Sequence, residues 1–232
     1  MRLPCIRRIQ MVAPPLPAAA AVIDLHDQLL ARSGWPSAMP KELQTPWPQD
    51  SALLHWLLQN HRCNCLLWAE EDLARRTTVS DAEIAANKRA IDSFNQARND
   101  ATERIDELLL LALGLVDETT ARGDAPQSQA AAGARLNSET AGSMIDRLSI
   151  MALKIHAMQL QSQRSDVDQA HLDSALSKLN RLRQQRGDLA HCLDSLLLES
   201  AAGRAYFKVY RQFKMYNDPR LNPELVKERR AH

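Results

Sequence analysis

Amide, acidic and basic side chains recur on the inward faces of two neighbouring helical stretches. In the first stretch they share a stripe with Leu53, Leu57, Leu67 and Trp68, and in the second they run beside Ile84, Ile91 and Ile105. A polar side chain on such a face must find a partner or cost about 1–3 kcal/mol. We therefore expect these groups to bind one another or a ligand. The first stripe carries Asn60, Asn64, Glu71 and Arg75, and the second carries Lys88, Asp92, Asn95, Asn99 and Asp106.

A short turn around residues 78–80 joins the two stretches, so we expect them to be antiparallel neighbours. Folding about that turn places Glu71 opposite Lys88, Asn64 near Asn95, and Asn60 near Asn99. If the Glu71–Lys88 pair is buried, removing either partner strands the other. Four charged residues fall on the far side of the second stretch and are expected to face solvent: Arg89, Asp100, Arg104 and Glu107.

A later helix contributes two more carboxylates, Glu139 and Asp146, in an angular sector that it shares with apolar residues. Gly142 lies between them and would let a ligand or another backbone approach closely. The segment SETAG at residues 138–142 opens this helix. Its free N–H groups could bind an anion, although simple capping is the commoner role of such a segment.

Two functions fit this constellation. In the first, a binding or interaction protein holds an anionic small ligand in a polar pocket between helices, with Lys88 or Arg75 on the negative charge. In the second, a hydrolase or transferase acts on a phosphorylated or nucleotide-linked molecule, with Glu71, Asp92, Glu139 and Asp146 around Mg²⁺. The cofactor is therefore unknown, with Mg²⁺ implied only by the second. No E-x-x-H pair of a di-iron bundle occurs, and no residue is assigned to a metal.

Six helical stretches should position these groups. They cover residues 18–32, 51–76, 80–120, 137–163, 166–203 and 204–215, with Asp50, Ser80 and Asp166 as opening caps. Residues 122–133 form a linker. The pattern predicts an all-α fold, a bundle of five to six long antiparallel helices. The basic, aromatic segment around Tyr206, Tyr210 and Tyr216 is expected to dock back on the bundle or, in the alternative, to contact a ligand or partner.

The composition of the chain limits the number of domains and the classes of partner that we expect. The 232 residues are 45% hydrophobic and carry a net charge of +1, which indicates one globular domain and gives no strong nucleic-acid signal. We expect a disordered extension at 1–17, a helical-bundle domain at 18–220 and a tail at 221–232. Prolines interrupt the apolar N-terminal stretch, and no run reaches the roughly 18 apolar residues of a membrane span. The expected location is cytoplasmic.

Four segments resemble a known family: LQNHRCNCLLWAEEDLAR, KRAIDSFNQARNDATERID, NSETAGSMIDRLSIMALKI and YRQFKMYNDPRLNP. They are similar to an uncharacterised, all-helical bacterial family, the domain of unknown function 4254. This resemblance covers roughly residues 20–225 and implies no reaction. It suggests neighbours among sugar-transfer and cell-surface glycan enzymes, so the expected partners are glycan-biosynthesis enzymes and a second copy of the chain as a homodimer.

Overall fold

The computed structural model describes residues 16–212 and 218–231, and in these ranges the chain is all-α. A two-residue strand β1 (Arg135–Leu136) pairs in parallel with β2 (Ala205–Tyr206). Within the same ranges no helix combines the length and the apolar content that crossing a membrane requires. The described residues form six helices: α1 (Ala19–Leu30), α2 (Ala52–Leu73), α3 (Asp81–Ala112), α4 (Ala141–Ser162), α5 (Gln169–Ala201) and α6 (Pro223–Ala231).

Side-chain caps open the four long helices, and the sequence located one of them correctly. Ser80 and Glu83 form the predicted capping box of α3. The cap of α2 is Ser51 rather than Asp50, and that of α5 is Asp168 rather than Asp166. Both errors are small shifts between neighbouring residues that can each accept a backbone N–H, so composition alone could not choose between them.

Two predicted helical stretches were wrong, one at its C-terminal end and the other over all of its described residues. The stretch that opens at Ser80 does not reach residue 120, because α3 ends at Ala112 and Gly114 follows with a φ of 65°. Residues 204–212 are not helical, since β2 and an extended segment occupy them. The remainder of that predicted helix, 213–215, and Tyr216 lie outside the described residues, as do residues 1–15. Helix α6 lies in the segment predicted as a tail.

Helix α4 is central to the packing. It contacts α1, α2, α3 and α5. Helices α2 and α3 pack along their lengths, and their contacts run from Arg76 with Asn87 near the turn to Asn60 with Thr102 far from it, so the two are antiparallel. The largest fully buried apolar side chains are Phe207, Leu25, Leu29, Leu54, Leu57, Ile105, Leu109, Ile145, Leu148 and Leu193.

Candidate functional site

Two buried asparagines of α2 converge on one carboxylate of α4. Asn60 is fully buried, and its Nδ2 donates to Asp146 Oδ1 at 2.8 Å and to Thr102 Oγ1 at 3.1 Å. Asn64, also buried, donates to the same Asp146 oxygen at 2.8 Å and to Ser149 Oγ at 3.0 Å. These bonds join α2, α3 and α4 and hold the Asp146 carboxylate in a fixed position.

A second carboxylate, Asp106 of α3, lies at the opening turn of α4. Its Oδ1 accepts the backbone N–H of Gly142 at 2.6 Å. Burial raises the pKa of Asp106 to about 7 from an ordinary value of 3.8, although hydrogen bonds from Thr140 and Gly142 act to lower it. Asp106 can therefore change its protonation state near neutral pH.

Gly142 allows this contact because α3 and α4 touch at its Cα. A Cβ at this position would lie 2.6 Å from the backbone oxygen of Thr102 and 2.9 Å from Asp106 Oδ1. The sequence predicted that a ligand or another backbone would approach here, and the group that approaches is the α3 backbone. A side chain larger than hydrogen would force the two helices apart.

Two N–H groups at the start of α4 are bound by side chains of the protein itself. Thr140 caps the helix by accepting the N–H of Ser143 at 3.1 Å, and Asp106 takes that of Gly142. The capping role, which was the commoner expectation for residues 138–142, is therefore the one that the structure has. An anion bound nearby must be held mainly by side chains.

Between α3, the start of α4 and the extended residues 207–212 lies a cavity of about 420 Å³, which we call the α3–α4 cleft. Carboxylate, guanidinium, hydroxyl and amide groups line it together. Its lining consists of Arg98, Asn99, Thr102, Glu103, Asp106, Ser138, Thr140, Ser143, Asp146, Arg147, Tyr210, Arg211 and Gln212.

The three arginines of the cleft differ in how many of their N–H groups bind other residues of the protein. Arg211 binds Glu103 at 3.0 Å and Glu107 at 2.6 Å, and it donates to the carbonyls of Ala121 and Gly123. Arg147 binds Glu139 at 2.5 Å. Arg98 has a buried Nε with no hydrogen-bond partner among the described residues, since the nearest carboxylate oxygen, on Asp146, is 4.0 Å away. The Nε of Arg98 is thus a buried donor whose hydrogen bond the described residues leave unmade.

Arg211 also fixes the C-terminal side of the cleft. Its contacts with Glu103 hold residues 207–212 against α3. Two further hydrogen bonds do the same: Gln212 N donates to Glu103, and Asn99 donates to Gln212 Oε1. The docking expected of this basic, aromatic segment is therefore observed for its described part. Glu107, which was expected to face solvent, is instead buried between Arg104 and Arg211, so that expectation was wrong.

The ten predicted site residues do not form one group. Asn60, Asn64 and Asp146 meet as described above. Asn99 lines the α3–α4 cleft, and Glu139 lines a wider groove of about 920 Å³ between α4 and α5. Asn95 lines a groove of about 330 Å³ with Asn64 and Glu71, as the predicted register requires.

The remaining predicted residues lie toward the turn between α2 and α3, in solvent. Lys88 lies 3.9 Å from Glu71, the partner predicted for it, but their side chains are 57% and 41% exposed. Arg75 is 79% exposed and pairs with the same Glu71, while Asp92 is exposed. The predicted facing of Glu71 and Lys88 is confirmed, whereas their expected burial is wrong. Burial decreases toward the turn, where residues 75–78 are all exposed.

Asn60 meets Thr102 rather than Asn99, its predicted neighbour. Asn99 instead donates to Gln212 at 2.9 Å. Thr102 lies about one helical turn from Asn99. A small change in the angle at which α2 and α3 cross is enough to shift the contact by that distance. Over the described ranges no three His, Cys, Asp or Glu side chains come together as metal ligands.

Two histidines stack in the core, away from the cleft. The rings of His26 and His61 are fully buried with centroids 4.5 Å apart, and His61 Nδ1 lies 2.8 Å from Ser149 Oγ. Burial lowers the pKa of His61 to about 3; burial, and then nearby His61 and Arg186, lower the pKa of His26 well below 6.5. Both rings are therefore neutral.

Four charged residues that line the cleft belong to neither polar stripe and were not assigned to the site: Arg98, Glu103, Arg147 and Arg211. Each lies one position or one turn from a residue that was selected, so the helical periodicity carried part of the signal. Helical periodicity does not predict where residues 207–212 lie, so the C-terminal side of the cleft could not be found from the sequence.

The comparisons with known proteins identify a family and no function. A family model described as "Protein of unknown function (DUF4254)" matches residues 54–209, which is more than half of the chain. No curated protein matches, and no solved structure matches. The match spans α2 to β2 and so includes the α3 and α4 sides of the cleft. The chain therefore belongs to the uncharacterised family DUF4254.

Proposed function

We propose that this protein binds a small anionic ligand in the α3–α4 cleft, with Arg98 and Arg147 on the negative charge. The observation that carries the proposal is the buried Nε of Arg98, which lacks a hydrogen-bond partner among the described residues. An unpaired buried donor costs free energy that an anionic oxygen would recover. Arg147 lines the same cavity and is 56% exposed, so a ligand can reach it.

The rest of the lining supports a ligand that also carries hydroxyl or amine groups. Asp146 and Glu103 offer acceptors, and Ser138, Ser143 and Tyr210 offer hydroxyls. A simple inorganic anion would leave these groups unused. All of the lining residues lie in three of the segments by which the chain resembles its family. The proposed pocket thus lies between α3 and α4, whereas the sequence placed it between α2 and α3.

A second candidate is an Mg²⁺-dependent hydrolase or transferase that acts on a phosphorylated or nucleotide-linked molecule. It is favoured by the carboxylates of Asp106 and Asp146, which line the same cavity as three arginines. Mg²⁺ usually binds one or two carboxylates together with substrate phosphates. A carboxyl that titrates near pH 7 suits proton transfer. In this candidate Asp106 and Glu103 replace the distant Glu71 and Asp92.

Calorimetric titration tests both candidates. Phosphate, pyrophosphate and nucleoside diphosphates are titrated into the protein with and without Mg²⁺. We expect saturable binding of at least one of them, weakened tenfold or more by Arg98→Gln and by Arg147→Gln. The matched control is Arg183→Gln, an exposed arginine of α5 outside the cleft, which should bind as the wild type does. Binding that is indifferent to Arg98 and Arg147 contradicts the site.

Mg²⁺ separates the two candidates. Binding that requires Mg²⁺, followed by release of phosphate or transfer of the phosphorylated group, supports the enzyme. Binding without Mg²⁺ and without turnover supports the binding protein. Loss of both turnover and Mg²⁺-dependent binding in Asp146→Asn would assign the metal to that carboxylate.

The proposal also covers the architecture, location, partners and oligomeric state of the protein. We propose that the helices form an antiparallel bundle in a cytoplasmic protein that acts with cell-surface glycan or sugar-transfer enzymes and assembles as a homodimer. The position of α4 among four other helices supports the bundle. Affinity purification from cells, with glycan-biosynthesis enzymes as the expected co-purifying proteins, tests the partners, and light scattering tests the dimer.

A further inference from the structure

A second cavity lies at the junction of α2, α4 and α5, and shares no residue with the α3–α4 cleft. We call it the Trp68 pocket, because the indole of Trp68 forms its α2 side. Its volume is about 270 Å³. Its apolar lining consists of Trp68, Ala157, Met158 and Leu182, and Trp68 is 36% exposed there. An exposed tryptophan beside a methionine and a leucine offers an apolar contact surface to a small molecule.

Three cations line the same pocket. Lys154 comes from α4, one turn before Met158, and Lys178 and Arg181 come from α5, next to Leu182. No acidic residue lines the pocket, and within the described part of the chain none of the three cations has a salt-bridge partner. Three like charges about one cavity repel one another, and an anion between them would relieve that repulsion.

We infer that the Trp68 pocket binds a small amphiphilic anion: an acyl or aryl group that ends in a carboxylate, sulfate or phosphate. The apolar group would cover Trp68, Met158 and Leu182, and the head group would lie among Lys154, Lys178 and Arg181. A bare inorganic anion would leave the apolar surface in water, and a neutral apolar molecule would leave the cations unpaired. The volume, about nine times that of a water molecule in the liquid, fits a ring or a short chain.

The probe for this inference is octyl sulfate below its micellar concentration, with octanol and inorganic sulfate as controls. Binding is followed by the ¹³C-methyl NMR signal of Met158 in the full-length protein. We expect saturable one-to-one binding of octyl sulfate, at least tenfold tighter than either control, with the Met158 signal among the most shifted. Equal binding of octanol, or shifts confined to other methionines, would overturn the inference.

Variants locate the head group and the apolar group separately. Lys178→Gln combined with Arg181→Gln should weaken octyl sulfate at least tenfold and leave octanol unchanged. Trp68→Ala should weaken both. The matched control is Arg183→Gln, which removes a neighbouring exposed cation of α5 that does not line the pocket. All of these side chains are at least partly exposed, and a thermal melt of each variant checks that it folds. Wild-type affinity in the double variant would overturn the inference.

The same chemistry could come from a free amphiphile or from the head groups of an anionic bilayer, and the experiment distinguishes them. Cosedimentation with vesicles of phosphatidylglycerol and phosphatidylcholine provides the second arm. Saturable binding of octyl sulfate without vesicle binding supports the pocket as a site for a free ligand. Vesicle binding that depends on Lys178 and Arg181, without binding of monomeric octyl sulfate, would overturn it in favour of a membrane surface.

Discussion

Gly142 and Asp106 are joined by a hydrogen bond of 2.6 Å, from the backbone N–H at the start of α4 to a buried carboxylate of α3. This bond positions one side of the α3–α4 cleft, because the residues on either side of Gly142, up to Asp146 and Arg147, line the cavity. It depends on the absence of a side chain at residue 142, and it brings a carboxyl that titrates near neutral pH to the cavity wall.

Gly142→Ala should destabilise the protein despite the better helix propensity of alanine. The new Cβ would meet the backbone oxygen of Thr102 at 2.6 Å, and a helix backbone cannot move aside cheaply. Overpacking of this kind costs about 1–3 kcal/mol, which exceeds the gain of up to about 1 kcal/mol from replacing glycine in a helix. Urea unfolding measures the difference.

The matched control is Gly187→Ala in α5, where a Cβ would meet nothing within 4 Å. It should stabilise the protein by about 0.5–1 kcal/mol. If both substitutions stabilise equally, α3 and α4 are not in contact at Gly142.

Asp106→Asn should make the protein more stable at pH 8 relative to wild type, with little change at pH 4. The folded-state pKa, about 7, lies above the ordinary value of 3.8. Between these values the unfolded chain is ionised and the folded chain protonated, so stability falls as pH rises from about 4 to about 7 and then levels off.

Urea unfolding of wild type and variant from pH 4 to 8 gives the stability difference at each pH. A direct check is the ¹³C signal of the Asp106 carboxyl, which should titrate near pH 7. A midpoint below pH 5 would mean that this carboxylate is solvated or paired.

His26→Leu should reduce the acid sensitivity of the fold. The pKa values of His26 and His61 are lowered in the folded state. Below about pH 6.5 these two histidines therefore bind protons in the unfolded chain but not in the folded chain. Stability is therefore complete above pH 6.5 and is lost progressively toward pH 3. Leucine removes one such group, and since neither nitrogen of His26 has a hydrogen-bond partner among the described residues, it breaks no bond.

Unfolding free energies at pH 5 and pH 8 test this expectation, with the exposed His55→Leu as control. The loss between the two pH values should be smaller in His26→Leu than in wild type and unchanged in His55→Leu. An identical loss in all three proteins would mean that the buried histidine pair is not the acid-sensitive element.

Glu71→Ala and Lys88→Ala should each cost less than about 1 kcal/mol, because both side chains are exposed. The sequence implied a larger cost from a stranded buried partner, and the observed exposure removes that reason. A double-mutant cycle by thermal or urea unfolding should give a coupling of about 0.5 kcal/mol or less, reduced further by salt. A coupling of several kcal/mol would mean that the two are buried together, for example in an interface.

The sequence by itself determined helices α1 to α5 and the facing of α2 and α3, because helix periodicity and capping are local properties. It selected Asn60, Asn64 and Asp146 as inward polar groups for the same reason. It did not predict α6, and it predicted a helix over residues 204–212, which are not helical. Only the tertiary structure decided which of the stripes are covered: α4 covers the middle of the hairpin, while Glu71 and Lys88 near its turn remain in solvent. It also decided that residues 207–212 close a cleft around Arg98 and Asp106. That contact joins residues more than 100 positions apart, and neither local propensity nor periodicity contains such information.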